Sequence, residues 1–239
     1  MEFGQAMLGL RKLKFPNNFI MELSFNYCTR SLSNCYLLGS DYTGAKGNQK
    51  ETRDALIIDP GCMNESILDF IESNEYTLKG ILLTHNHARH TAGLRSLKRI
   101  YPAEIYASNS VVLNYKTNVV QDGDTINIGS FTVKVISAPG HSIDSMVYLI
   151  DHILFTGDVL SAGLMGRTDS AYSAMRQITM IQNKIFTLRG NYIVLPGHGP
   201  PTTLNVERSH NIGMRLFEEN RNRTQYTSFG LELLDTSSN

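Results

Sequence analysis

Short apolar runs separated by turn residues recur along the chain, and they predict a strand-rich fold with a few amphipathic helices. Met21 to Phe25, Cys35 to Leu38 and Ala55 to Ile58 read as strands, with Asp41 to Arg53 as an exposed hairpin loop between the last two. The third strand stops at Asp59-Pro60-Gly61, and Asn64 or Ser66 can cap a helix carrying Ile67, Leu68 and Ile71. Ile81-Leu82-Leu83, bounded by Gly80, reads as a buried strand. Leu94, Leu97 and Ile100 lie on one helical face before Pro102 ends that helix.

The second half repeats the pattern. Ile105 to Ala107 is a predicted strand, and Ser110 to Tyr115 is a short helix or an extended stretch. After the turn Asp122-Gly123-Asp124 come two strands joined at Gly129-Ser130, with Phe131, Val133 and Val135 alternating against Thr132 and Lys134. Met146 to Ile150 and Ile153 to Phe155 form a hairpin around Asp151-His152. Ala171 to Thr187 is a helix with Met175, Ile178, Ile181 and Ile185 as its buried stripe. Tyr192 to Leu195 is the last clear strand, and a helix from about Asn205 to Asn220 follows. At the start, Met7, Leu8, Leu10 and Leu13 suggest a short amphipathic helix with Arg11, Lys12 and Lys14 on its solvated face. Near the end, Leu231 to Leu234 is an apolar island in a polar tail. These divisions give an extension over 1–20, one domain over 21–220 and a tail over 221–239.

Composition narrows the classes. With 239 residues, 41% of them hydrophobic, the chain can bury a real core. Twenty-two basic against 22 acidic residues give no electrostatic case for nucleic acid or an anionic membrane. No run approaches the roughly 18 apolar residues of a membrane span, and no signal peptide is evident, so a cytoplasmic protein is expected. Cys28, Cys35 and Cys62 are odd in number and lack metal-ligand spacing, which predicts buried or free thiols in a reducing compartment.

The chemistry gathers on histidine. Thr84-His85-Asn86-His87-Ala88-Arg89-His90 places three imidazoles between a strand end and a helix start, more than a core could satisfy. Neutral imidazole is the commonest transition-metal ligand. Five of the 7 His (His85, His87, His90, His141 and His198) follow predicted strands, as does Asp158. Residues at one sheet edge converge in space, and this set exceeds one metal's usual ligands and suits two. His152 and His210 are expected to be structural or exposed.

These pieces resemble the metallo-β-lactamase superfamily from about residue 22 to residue 210. The matching motifs are Leu37-Leu38, Ile57-Ile58-Asp59-Pro60-Gly61, Thr84-His85-x-His87-x-x-His90-x-x-Gly93, Pro139-Gly140-His141, Phe155-Thr156-Gly157-Asp158 and Pro196-Gly197-His198-Gly199. The resemblance implies a mixed α/β fold, a four-layer αβ/βα sandwich with metals at one sheet edge. It implies one metal on His85, His87 and His141, another on His90 and His198, and Asp158 as the bridging, catalytic carboxylate. The family places an Asp ligand of the second metal where this chain has Arg89. A guanidinium has no free lone pair, so Arg89 cannot be a ligand. It raises the site's positive charge and favours an anionic guest. The alternative is a dead second site whose space Arg89 fills.

Two closer resemblances compete. Gly166-Arg167-Thr168-Asp169 is similar to glyoxalase-II-like thioesterases and persulfide dioxygenases. His141-x-x-Asp144-Ser145-Met146 with Tyr148 is similar to flavodiiron oxygen and nitric oxide reductases. About 40 residues follow His198, too few for the glyoxalase-type substrate domain or a flavodoxin domain. The flavodiiron pattern also has a carboxylate where this chain has His87. The favoured reading, because Arg89 removes the ligand that in the family's hydrolases helps orient the attacking hydroxide, is a di-iron sensor or carrier of oxygen or a related diatomic such as nitric oxide, working with a signalling or redox partner protein. Its cofactors would be two metal ions, iron favoured over zinc or manganese, with no flavin domain in this chain. The other is a metal-dependent hydrolase of a thioester, ester or phosphoester, with Arg89 and Arg167 contacting the substrate anion. Neither reading calls for nucleic acid or membrane, and self-association as a homo-oligomer is left open.

Overall fold

The computed structural model describes residues 11–14, 20–42 and 52–216. Strands β1 (Arg11–Lys14), β2 (Ile20–Cys28), β3 (Ser33–Tyr42) and β4 (Thr52–Ile58) pair antiparallel in sequence order. Helix α1 (Glu65–Ser73) leads to β5 (Thr77–Leu82), which pairs parallel with β4. Helices α2 (Ala88–Thr91) and α3 (Leu94–Ile100) lead to β6 (Glu104–Ala107), again parallel. A small hairpin of β7 (Val111–Val112) and β8 (Tyr115–Lys116) precedes β9 (Asn118–Val119), which closes a seven-stranded sheet at the edge beyond β6.

The second sheet has six strands. β10 (Thr125–Ile128), β11 (Phe131–Ser137), β12 (Met146–Ile150) and β13 (Ile153–Gly157) form a meander. A hairpin of β14 (Leu160–Ser161) and β15 (Leu164–Met165) and helix α4 (Ala171–Met180) follow. Then come β16 (Ile193–Pro196), parallel to β13, and β17 (Thr202–Thr203), antiparallel to β16. Helix α5 (Leu204–His210) packs behind.

Alternation along the strands builds the layers. Tyr36, Leu38, Leu56, Ile58 and Leu82 face the second sheet and meet Phe131, Val133, Val135, Tyr148 and Phe155. Their neighbours Leu37, Ile57, Ile81 and Leu83 face the other way, onto Ile67, Phe70 and Ile71 of α1 and Leu94 and Leu97 of α3. On the far side, Val147, Leu149, Leu154 and Val194 pack under Ile178, Ile181, Ile185 and Leu204. Strands with both faces buried explain the near-continuous apolar runs. Three apolar seams make four layers, the αβ/βα sandwich expected from the sequence.

Several local expectations are corrected. Residues 11–14 form the edge strand β1, paired as Arg11↔Leu23 to Lys14↔Ile20, rather than part of a helix. Backbone pairing with the open edge of β2 outweighs the helical spacing of the apolar residues. Met7, Leu8 and Leu10 lie outside the described residues. Asp41, Tyr42, Thr52 and Arg53 belong to the paired strands, so the connection is 43–51, outside the described residues. The stretch 110–115 is extended, as a small hairpin. Asn64 caps α1 by accepting a hydrogen bond from Ile67 N at 3.1 Å. Ile100, at the end of α3, is 51% exposed. Met175 is 46% exposed, because α4 turns the amide of Gln177 inward instead and continues into a π-helical turn over Ile181–Ile185, which shifts the buried face. The predicted last helix breaks at Asn211 and resumes over 212–216; 217–220 and the island Leu231 to Leu234 lie outside the described residues.

The cysteine reading is also corrected. Cys28 and Cys62 form a disulfide with Cα atoms 5.5 Å apart, and only Cys35 is a free, buried thiol. The turn after β4 crosses the end of β3 and meets the end of β2, a contact that sequence spacing does not reveal. No helix among the described residues is long and apolar enough to cross a membrane.

The bond closes a loop with a sequence separation of 34. Replacing both cysteines by serine should lower the unfolding free energy by about 3–4 kcal/mol through the entropy restored to the unfolded chain. Urea titration of the double variant checks this, and an unchanged midpoint would refute a stabilising bond.

Candidate metal centre

The centre lies where strands of both sheets end. Parallel pairing sets β4 beside β5 and β13 beside β16, so the residues after each strand emerge together. His85 follows β5, His141 follows β11, Asp158 follows β13 and His198 follows β16. Cross-sheet bonds hold this edge shut. Met146 N donates to Thr84 O at 2.7 Å and Asn34 N to Gly197 O at 2.8 Å, while within the second sheet Gly197 N donates to Gly157 O at 2.8 Å. Tyr36 OH donates to Pro196 O at 2.7 Å.

Two glycines permit the approach. A Cβ on Gly197 would lie 2.5 Å from Asp158 Oδ1 and 2.6 Å from His90 Cε1. Gly157 has φ +50, and a Cβ there would meet Thr84 Oγ1 at 2.4 Å. Each must be glycine for the ligand loops to close on one another.

Two triads of donors result. The donor atoms of His85, His87 and His141 lie within 4.8 Å of one another, and so do those of His90, Asp158 and His198. Asp158 sits between them. Its Oδ2 is 3.4 Å from His141 Nε2, 3.4 Å from His198 Nε2 and 4.0 Å from His85 Nε2, while Oδ1 is 3.4 Å from His90 Nε2. His141 Nε2 and His87 Nδ1 are 3.1 Å apart, close to the roughly 3.0–3.4 Å expected of two nitrogens bound about 2.0–2.1 Å from one ion. His85 Nε2, His90 Nε2 and Asp158 Oδ1 are buried without a hydrogen-bond partner. Orphaned buried polar atoms in both triads fit cations held there. A third grouping, Asp59 with His85 and His90, also has donors within 4.8 Å, but Asp59 already spends its oxygens on hydrogen bonds.

Four of the imidazoles are oriented through the nitrogen that faces away. His85 Nδ1 meets Thr84 Oγ1 at 3.0 Å, and that hydroxyl donates to Asp59 Oδ2 at 2.6 Å. His90 Nδ1 meets Asp59 Oδ2 at 3.1 Å. His141 Nδ1 donates to Arg167 O at 2.7 Å, and His198 Nδ1 to Leu32 O at 2.7 Å. Such partners fix the ring and leave Nε2 free for a metal.

Electrostatics separates the two triads. Burial drives His85 down to about 3 and also lowers His87. Burial acts against a charged His90 too, but Asp59 and Asp158 on its two nitrogens outweigh it and carry it up to about 10. Burial would raise Asp158; His198 and His90 instead hold it well below the usual carboxylate range.

Arg89 and Arg167 fall outside the triads. Arg89 is exposed and lines a cavity on the outer side of α2, and its carbonyl accepts from Ser33 Oγ at 2.7 Å. Arg167 is exposed, and the contact it makes at the centre is its carbonyl on His141. His152 and His210 are exposed and remote from the donors. Asp144 ties the two ligand loops together. It accepts from Asn86 N at 2.9 Å, Asn109 Nδ2 at 2.7 Å and Ser142 Oγ at 2.6 Å. Tyr148 is buried and donates to Leu83 O at 2.8 Å. Two residues that the sequence offered only as turn or motif members, Asp59 and Thr84, and one that it did not offer, Gln177, complete the frame. Thr84 and Asp59 brace His85 and His90, and buried Gln177 donates to Val159 O at 2.8 Å behind Asp158. The one sequence signal for this role was Asp59 itself, a polar residue placed at the end of a buried strand.

A family model described as Metallo-beta-lactamase superfamily matches residues 29–205. The chain is 31% identical over 154 residues to hydroxyacylglutathione hydrolase of Hahella chejuensis, covering 63% of this chain and 59% of that enzyme. It thus spans less than two thirds of that relative's length. It is 30% identical over 188 residues to hydroxyacylglutathione hydrolase GloC of Haemophilus influenzae, covering 67% of this chain and 87% of that one. Among solved structures it is similar to ETHE1 from Myxococcus xanthus, with a TM-score of 0.67 and 26% identity over 95% of this chain and 93% of that one.

The two triads should differ in proton release. At pH 7 His90, with its pKa carried to about 10, holds a proton that a metal must displace, whereas His85, driven to about 3, is already neutral. Calorimetric titration with zinc in two buffers of different ionisation enthalpy should find about one proton released from His90 on filling its triad. Asp158→Asn should lower metal stoichiometry while circular dichroism stays unchanged. Full occupancy in that variant would refute a shared carboxylate.

Proposed function

We propose that this chain, which belongs to the metallo-beta-lactamase superfamily, is a metal-dependent hydrolase of thioesters of the hydroxyacyl-thiol class. The observation that carries the reading is the pre-oriented face of His85, His87 and His141 with Asp158 beside it. Three imidazoles leave a bound metal an open position, the pattern of catalytic rather than structural sites. A divalent metal held there would supply hydroxide near neutral pH and polarise a carbonyl.

The chain's own groups do the rest. Asp158 Oδ2 lies 3.4 Å from His141 Nε2 and 4.0 Å from His85 Nε2, on the side of that triad, where it can orient an attacking water. Its low proton affinity suits it to holding that water rather than keeping the proton. Arg167 O and Leu32 O keep His141 and His198 turned inward. The similarity to GloC supports the reading, because the match covers 87% of that hydrolase.

The oxygen-binding di-iron reading rested on Arg89 removing a ligand that orients hydroxide at the second metal. The set His85, His87 and His141 does not depend on position 89, and this supports the hydrolase reading. Zinc- or manganese-loaded protein should release free thiol from S-lactoylglutathione, and His87→Ala should lose at least a hundredfold of that rate. No thiol release with zinc, manganese or iron, together with a slow-decaying visible band when the reduced iron form meets air, would overturn the hydrolase in favour of the oxygen reading.

A further inference from the structure

A cavity of about 560 Å³ lies between the β2–β3 turn and the outer face of α2 and α3, beside the metal centre but sharing none of its ligands. Arg30 and Arg89 both line it, with Tyr27, Ser31, Asn64 and Ser96 among its polar walls. Among the described residues no carboxylate pairs with Arg30 or Arg89. Two uncompensated guanidinium groups on one concave wall repel each other unless an anion lies between them. The volume is that of a small-molecule site. The Cys28–Cys62 disulfide joins the two segments behind it, one through the β2 end and the other through Cys62 in the lining. Ser33 Oγ holds the Arg89 carbonyl at 2.7 Å, which fixes where that side chain leaves the backbone.

The cavity also borders the second triad through shared segments. The β2–β3 turn that carries Arg30 and Ser31 carries Leu32, whose carbonyl holds His198. Helix α2, which carries Arg89, carries His90. The segments that carry Arg30 and Arg89 therefore also carry a support and a donor of the second triad.

We infer that the Arg30–Arg89 cavity is an anion subsite that takes the carboxylate-bearing thiol arm of the substrate thioester. The inference rests on the hydrolase reading for what the ligand is, and on the cavity for where its charge goes. It also gives position 89 a use: the residue that cannot ligate a metal presents a fork of donors to a carboxylate.

The test uses full-length zinc-loaded protein and two substrates with one acyl group, S-lactoylglutathione with a charged arm and S-lactoyl-N-acetylcysteamine with a neutral one. The wild type should prefer the charged substrate in kcat/KM. Arg30→Ala and Arg89→Ala should each reduce that preference roughly tenfold or more, mainly through KM, as expected for loss of a charge-assisted hydrogen bond. Binding of uncleavable S-methylglutathione, measured by calorimetry, should weaken in parallel and fall with added salt. A structural role alone would slow both substrates equally and leave their ratio unchanged. If Arg89→Ala loses metal, Arg30→Ala carries the test, since Arg30 follows no ligand. Turnover by the wild type with an unaltered preference and unaltered S-methylglutathione affinity in the variants would overturn the subsite and leave the hydrolase reading standing. Salt-sensitive S-methylglutathione binding that the variants abolish, with no turnover of either thioester, would support the anion site and overturn the hydrolase.

Discussion

The carboxylate of Asp59 accepts three hydrogen bonds at the end of β4: from Thr84 N at 2.8 Å, from Thr84 Oγ1 at 2.6 Å, and from His90 Nδ1 at 3.1 Å. Asp59 is 2% exposed and sits at φ +49, a conformation that L residues seldom adopt. A buried carboxylate is costly unless every lone pair finds a donor. Here the donors are the residue before His85 and the ring of His90, so satisfying Asp59 places one ligand of each triad. The parallel pairing of β4 with β5 makes this possible by setting the two strand ends side by side.

The same edge must then hold five imidazoles around one carboxylate. Burial strips His85 and His87 of charge, while Asp59 and Asp158 leave charge on His90. The centre is thus asymmetric in the charge its surroundings favour. Arg89 adds to that asymmetry. Its side chain lines the outer cavity with Arg30, so two positive charges face that cavity.

The disulfide and the second triad draw on the same supports. Cys28 ends the strand leading into the turn that holds His198 through Leu32, and Cys62 follows the turn that contains Asp59. Gly93 N donates to Pro60 O at 2.8 Å, and a Cβ on Gly93 would lie 2.3 Å from the Cys62 carbonyl. The loop carrying the first three histidines is therefore packed on a covalently tied base.

Most of the layered fold was legible in the chain. Alternation in Phe131, Val133 and Val135 and the apolar runs Ala55 to Ile58 and Ile81 to Leu83 name the buried faces, because a strand's side chains alternate by covalent geometry. The metal donors were legible for a similar reason: imidazoles and a carboxylate just after buried strands have one sheet edge on which to meet. Contacts between segments far apart in sequence were not legible. Cys28 meets Cys62 only because a turn crosses the end of β3. Arg89 and Arg30 line one cavity only because α2 packs against the β2–β3 turn. Met175 loses its place to Gln177 because the carbonyls of the Asp158 loop need a donor. Periodicity encodes which face of an element is apolar; which elements touch, and which polar groups must then be satisfied, is decided by packing in three dimensions.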